Sequence, residues 1–301
     1  MAATLPKKRL PSGEIWDGQR CHHCWLPNPF LAASATVGME IRGQRVCQAC
    51  NTEWSYYETG SVACPHCGSL RSVGRDEERQ LHTDTPAALP LATFRGRIAE
   101  ESVATYANDL KSVLREYTRK RGFINGGELQ PLDDRYLTAR TLLHTVDILA
   151  RRQAPTPDAE LYLLSLYETL ADDAAAEAVD TTVDDTDNDT TDTDIDDPEL
   201  AAAQVPSDLR AAWGLAVADA VAVYCSDLRT WLDATPDEAA ATTLSQLRDH
   251  VNRLNALQGD VEPAVAADLV ASARAVGRYL RTDDEAALTA ARDRLTRLSQ
   301  A

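Results

Sequence analysis

Four cysteines constrain this chain more than anything else in it. Cys47/Cys50 and Cys64/Cys67 form two Cys-x-x-Cys pairs separated by thirteen residues, within residues 39–75. Each pair can occupy a tight turn whose backbone N–H groups point at the sulfurs. Four thiolates then surround one Zn2+ tetrahedrally and leave no position open for substrate, so the site reads as structural. Asn51 follows the first pair and Gly68 the second, and these are residue types that tolerate the left-handed backbone such a knuckle needs. Between the pairs, Glu53-Trp54-Ser55-Tyr56-Tyr57 favours a strand, and Glu58-Thr59-Gly60-Ser61 reads as a turn. Residues 39–75 are therefore expected to be a zinc ribbon, a hairpin clamped at its base by metal.

Cys47-Gln48-Ala49-Cys50 and Cys64-Pro65-His66-Cys67-Gly68 resemble the two knuckles of the zinc ribbon of transcription factor B. The chain as a whole resembles a group of haloarchaeal proteins that carry such a ribbon ahead of a helical region. The factor-B resemblance covers about forty residues, and no cyclin-like repeats follow them. It implies contact with nucleic acid or with transcription machinery.

The ribbon's own residues leave two readings open. Trp54 and Tyr56 would lie on one face of a strand and Tyr57 on the other. They could form a platform on which bases stack, or they could pack the small ribbon against the helices that follow. Arg42, Arg45, Arg71 and Arg75 are the candidate phosphate contacts.

Residues 1–38 form an irregular N-terminal extension containing Cys21-His22-His23-Cys24. This single knuckle has three readings. It could build a second metal site completed from elsewhere, for instance by His66 or His82. It could pair with Cys47/Cys50 in place of the second knuckle. Or Met39 could be the natural start, with the extension lying upstream of it. One structural zinc is expected, with a site at Cys21/Cys24 the lesser alternative.

The downstream chain reads as mostly α. Residues 76–92 look like a linker, charged at Asp76-Glu77-Glu78-Arg79 and broken by Pro86 and Pro90. Residues 93–171 carry three helical stretches, at roughly 94–121, 133–153 and from Pro157 onward, with apolar residues at helical spacing. Asn125-Gly126-Gly127 is a loop. The stretch 172–198 collapses to Asp, Ala and Thr and reads as a disordered acidic linker. A calcium loop there fails because Thr190 stands where glycine is needed. Residues 199–301 read as a C-terminal helical bundle. Its helices span about 207–233, to 257 and 262–281, and a last one opens beyond them. Thr235-Pro236-Asp237-Glu238 and Thr282-Asp283-Asp284-Glu285 are read as capping boxes.

Net charge is −17, with arginine well ahead of lysine, as in halophile proteins kept soluble by self-repulsion. The acidity is uneven. Residues 1–160 carry 20 basic and 19 acidic side chains, and residues 161–301 carry 10 and 28, so the ribbon lies in the less acidic half. No apolar segment follows Lys7-Lys8-Arg9, and no run of about 18 uninterrupted apolar residues exists. A cytoplasmic protein without a membrane crossing is expected. The chain has no H-E-x-x-H, P-loop, G-x-G-x-x-G or nucleophile elbow. The expectation is a non-enzymatic factor that binds a protein partner or nucleic acid, or a structural zinc clip on a helical interaction scaffold.

Overall fold

The structure is a computed structural model that describes residues 38–152, 154–180 and 198–300, with side chains described outside 172–180 and 198–200. The described residues are mostly helical, with a small β ribbon at their N-terminal end.

The ribbon is a three-stranded antiparallel sheet in the order β3-β2-β4, formed by β2 (Gln44–Cys47), β3 (Glu53–Ser55) and β4 (Ser72–Gly74). Arg45 lies opposite Trp54 on one side and Gly74 on the other. Met39–Ile41 forms β1, but β1 does not join this sheet. It pairs with β5 (Gln80–His82), Met39 opposite His82. The expected β run also ends early: Tyr56–Thr59 is a single helical turn, α1, closed by Gly60 in the left-handed conformation.

The stretch read as a linker, 76–92, is structured. Besides β5 it buries Thr83, Asp84, Leu89 and Leu91. Its charges and prolines look like linker chemistry, but its partners lie far along the chain. The amides of Thr83 and Thr85 donate to Ile124 and Lys120, and the Thr83 hydroxyl donates to Asp227 at 2.8 Å.

The first helical stretch is divided at Glu101–Ser102 into α2 (Arg95–Glu100) and α3 (Val103–Lys120). Tyr106, Leu110, Leu114 and Tyr117 make the buried face of α3. The loop at 125–127 is the turn of a hairpin between β6 (Ile124–Asn125) and β7 (Glu128–Leu129). Gly126 and Gly127 both have positive φ, at 59° and 87°, as a two-residue type I′ turn requires. Asp133 caps α4 (Asp134–Leu149) by accepting the Tyr136 amide. Helix α5 begins at Pro157, as expected, but continues to Asp180, into the stretch read as an acidic linker. Ala174–Ala176, Glu177 and Ala178 are good helix formers, so the propensity there outweighs the acidic composition. The acidic run 181–197 lies outside the described residues.

Beyond it come α6 (Pro198–Ala203), α7 (Arg210–Ala234), α8 (Glu238–Ala256), α9 (Pro263–Thr282) and α10 (Glu285–Gln300). Both expected capping boxes are displaced by two residues. Asp237, not Thr235, caps α8 through the Ala240 amide. Asp284, not Thr282, accepts the amides of Ala286 and Ala287 at the start of α10. The two threonines instead bond back into the preceding helices, to Trp231 and Arg278.

The two helical regions share one core, running from Leu89 to Leu298. Phe123 is the join. Its ring meets Tyr136 of α4 and Tyr224 of α7 edge-on, with centroids 5.1 and 4.8 Å away. Residues 207–234 are long and apolar enough to cross a membrane by length and composition, yet 72% of their apolar window is buried within the protein. That is the pattern of a central core helix.

Candidate metal centre

Each Cys-x-x-Cys pair folds into the same small turn. The Cys47 amide donates to Thr52 O at 2.9 Å, and the Asn51 amide returns to Cys47 O at 3.0 Å. In the second turn the Cys64 amide donates to Ser69 O and the Gly68 amide to Cys64 O, both at 2.9 Å. Closing the turns puts Asn51 at φ 56° and Gly68 at φ 69°, the two left-handed positions. The Ala49 amide points at the Cys47 sulfur, 3.3 Å away.

These turns bring all four sulfurs to within 4.8 Å of one another. Cys47 Sγ lies 3.6 Å from Cys67 Sγ. Cys50 Sγ lies 3.6 Å from Cys64 Sγ and 3.4 Å from Cys67 Sγ. These separations are far beyond a disulfide bond. They are close to the edge, about 3.8 Å, of a tetrahedron whose corners sit about 2.3 Å from a central ion. The donor set therefore fits one tetrahedral thiophilic cation, with Cys47, Cys50, Cys64 and Cys67 as its ligands. The first cysteine of each pair is buried and the second exposed. Trp54, 8% exposed, packs with Cys47 and Cys64 and donates its indole N–H to Ser61 O at 3.0 Å.

Taken as bare thiols, the four do not ionise alike. The Thr52 hydroxyl and amide, helped by neighbouring thiols, hold Cys50 down at about 5. Burial raises Cys47, but N–H bonds from Ala49 and Cys50 outweigh it and leave this thiol below its ordinary value. At Cys67 the Ser69 amide lowers the value, yet hydrogen bonding with Cys50, burial and the other thiols push it up to about 12. Four negative sulfurs this close need a cation between them.

The other residues singled out in the sequence have different fates. The aromatic side chains do not form an open platform: Trp54 is buried, and the rings of Tyr56 and Tyr57 pack on His82 with centroids 5.9 and 4.9 Å away. Arg45 bonds Ser72 Oγ, Arg42 bonds Glu77 O and Arg75 pairs with Glu53. Arg71 is exposed. His82 is committed to the junction with the helical body, and His66 is exposed on the second knuckle. Cys21 and Cys24 lie outside the described residues. Cys225, the seventh cysteine, is buried in the helical core, where desolvation raises its thiol to about 12.

Sequence reasoning passed over His82 except as a spare ligand, and it passed over Asp227 entirely. His82 accepts the Gly126 amide at Nδ1 (3.3 Å), and Asp227 accepts the Phe123 amide at 2.6 Å. The Asn-Gly-Gly turn was the one local sign of a hairpin that could receive such contacts.

The fold and the site together define a helical protein with a closed four-cysteine ribbon built onto it. The chain belongs to the family of unknown function DUF7117, whose model matches residues 39–295. No curated protein and no solved structure matches it.

Proposed function

We propose that this protein is a non-enzymatic zinc-ribbon factor whose ribbon contacts a protein partner and whose helical body is the scaffold that presents it. Zn2+ is the expected ion because it accepts four thiolates in a tetrahedron and has no redox chemistry, and Cys47, Cys50, Cys64 and Cys67 would fill all four of its positions. Its contribution is to hold the two knuckles together.

One observation carries the protein-contact reading. Six large hydrophobic side chains are exposed among the described residues, and four of them, Met39, Val62, Leu70 and Val73, belong to residues 39–75. Leu70 is 73% exposed. Single exposed apolar residues are ordinary, but their concentration in one small module favours a contact surface. The partner class implied by the factor-B resemblance, a protein of the transcription machinery, suits such a surface.

Nucleic acid is the less favoured partner. The aromatic rings face inward, and three of the ribbon's four arginines are engaged. The ribbon carries those four arginines against Glu40, Glu53 and Glu58. A divalent ion on four thiolates adds a net two negative charges, so the loaded ribbon is not a basic surface. A structural clip with no partner of its own is the second reading, favoured by the inward packing of Trp54, Tyr56 and Tyr57.

The test begins with elemental analysis of the purified chain. Leu70→Asp with Val73→Asp should then retain the metal yet lose the proteins that co-purify with the tagged wild-type chain from its native cells. Unchanged co-purification would favour the clip. Tight binding of single-stranded or duplex nucleic acid at physiological salt, lost in Arg71→Glu, would restore the nucleic-acid reading.

A further inference from the structure

The ribbon is held on the helical body through a small junction built around His82. Tyr57 is its wedge. A Cβ on Gly43 would lie 2.0 Å from the Tyr57 ring and one on Gly126 3.2 Å from it, so the ring fits between two glycines, one in the ribbon and one in the hairpin of the body. His82 lies beneath it, 1% exposed, with the rings of Tyr56 and Tyr57 against its own. The Gly126 amide donates to Nδ1, and the next amide, Gly127, donates to Leu81 O at 2.9 Å.

This geometry specifies a protonation state. A ring nitrogen that accepts an N–H carries no proton, so the docked imidazole is the neutral Nε2–H tautomer. Nε2 is buried and has no hydrogen-bond partner among the described residues. A proton added at Nδ1 would face the Gly126 N–H donor to donor. It would also place a charge in a buried site where Nε2 has no hydrogen-bond partner among the described residues.

Burial outweighs the pull of the Asp84 charge, which favours the imidazolium. Asp84, the nearest, accepts the Gly122 amide and pairs with Arg121. Asp76 accepts the Gln44 amide, and Asp227 on α7 accepts Phe123 N–H and the Thr83 hydroxyl. Glu40 on β1, Glu58 on α1 and Glu128 on β7 are exposed to solvent. The Tyr57 phenol stays neutral, raised by burial and by Asp76.

We propose that His82 is a protonation latch: the neutral imidazole docks the ribbon on the helical body, and the imidazolium releases it without dismantling the four-cysteine site. Desolvation holds the docked imidazole below its ordinary value. A histidine depressed in the docked state contributes docking stability above its free value, near 6.5, and that contribution is lost as pH falls below it. Between pH 7.5 and 5.5 the open population then rises by up to about tenfold, the limit set by protonation of the released imidazole while the docked one stays neutral.

Hydrogen exchange of the full metal-loaded chain reads this directly. Amides of residues 122–129 and 80–85, corrected for intrinsic rates, should open more at pH 5.5 than at 7.5, by up to about tenfold, and amides of α8–α10 should not. His82→Asn keeps an acceptor for the Gly126 amide but cannot be protonated, so it should lose the pH dependence. Metal content is measured at each pH. Equal acid opening in wild type and His82→Asn overturns the latch, with or without metal loss, as does the absence of acid opening in wild type. If His82→Asn does not fold, the tautomer decides, read by nitrogen NMR of wild-type His82. An Nε2–H ring titrating below the ordinary histidine value, near 6.5, upholds the latch, and an Nδ1–H ring overturns it.

Discussion

The carboxylate of Asp227 accepts the backbone N–H of Phe123 at 2.6 Å, across 104 residues of chain. The same oxygen accepts the Thr83 hydroxyl at 2.8 Å, and that hydroxyl in turn accepts the Ile124 amide at 3.0 Å. One buried side chain on α7 thus ties together β6 and the segment that leads out of the ribbon. Asp227→Ala would leave a buried amide and a buried hydroxyl without their acceptor. A loss of about 3 kcal/mol is expected, read as a lower urea midpoint. Asp227→Asn, which keeps one acceptor oxygen, should lose less.

Metal removal should act locally. The four cysteines lie in a ribbon whose own apolar cluster is only Cys47, Trp54 and Cys64, too small to fold without its ion. A structural Zn2+ contributes on the order of 10 kcal/mol to such a module. A strong chelator should therefore change the environment of Trp54 while far-ultraviolet circular dichroism keeps most of its helical signal. Cys47→Ser should do the same without chelator. An unaltered Trp54 environment after the metal is gone would refute this account of the ribbon.

Gly214 sits inside α7, where glycine ordinarily costs about 0.5–1 kcal/mol relative to alanine. The expected sign of Gly214→Ala is nevertheless destabilising. Its Cβ would lie 2.2 Å from the carbonyl oxygen of Gly259, a backbone atom that cannot swing aside. A loss of about 2 kcal/mol is expected, within the range for overpacking. A raised melting temperature would show that α7 and the 257–261 turn can separate freely.

Asp237 both caps α8 and accepts the Tyr279 hydroxyl at 2.6 Å. The hydroxyl, and then the Ala240 amide, hold its carboxyl below the ordinary carboxylate value. A depressed carboxylate stabilises the fold above its unfolded pKa, and that stabilisation is lost as pH falls through the folded value. Asp237→Ala should cost about 1 kcal/mol at neutral pH, as lost caps do. The difference between it and wild type should shrink below about pH 4. A constant difference down to pH 3 would exclude the carboxylate as the cause.

The residues legible in the sequence were those whose partners are close along the chain. Cys47 and Cys50 are set by a turn that closes within five residues, and Asn51 and Gly68 announce its left-handed step. Pro157 and Pro263 mark helix starts because their fixed φ and missing N–H suit the first turn. The capping boxes were misplaced by two residues because Thr, Asp and Glu in succession offer two possible caps. Bonds from Thr235 and Thr282 back into the preceding helices leave the aspartates as caps.

His82, Thr83, Asp84 and Asp227 were illegible for the opposite reason. A charged, proline-broken stretch resembles a linker until the strand, hairpin and helix that cover it are in place. The sequence by itself determined the cysteine spacing, the glycine turns and the helical periodicities, because these depend on covalent geometry and on side chains a few residues apart. Only the tertiary structure decided that the aromatic residues of the ribbon face inward, that both helical regions share one core through Phe123, and that His82 sits at the junction. Those outcomes depend on burial and hydrogen bonds between segments as many as 144 residues apart, which no local pattern records.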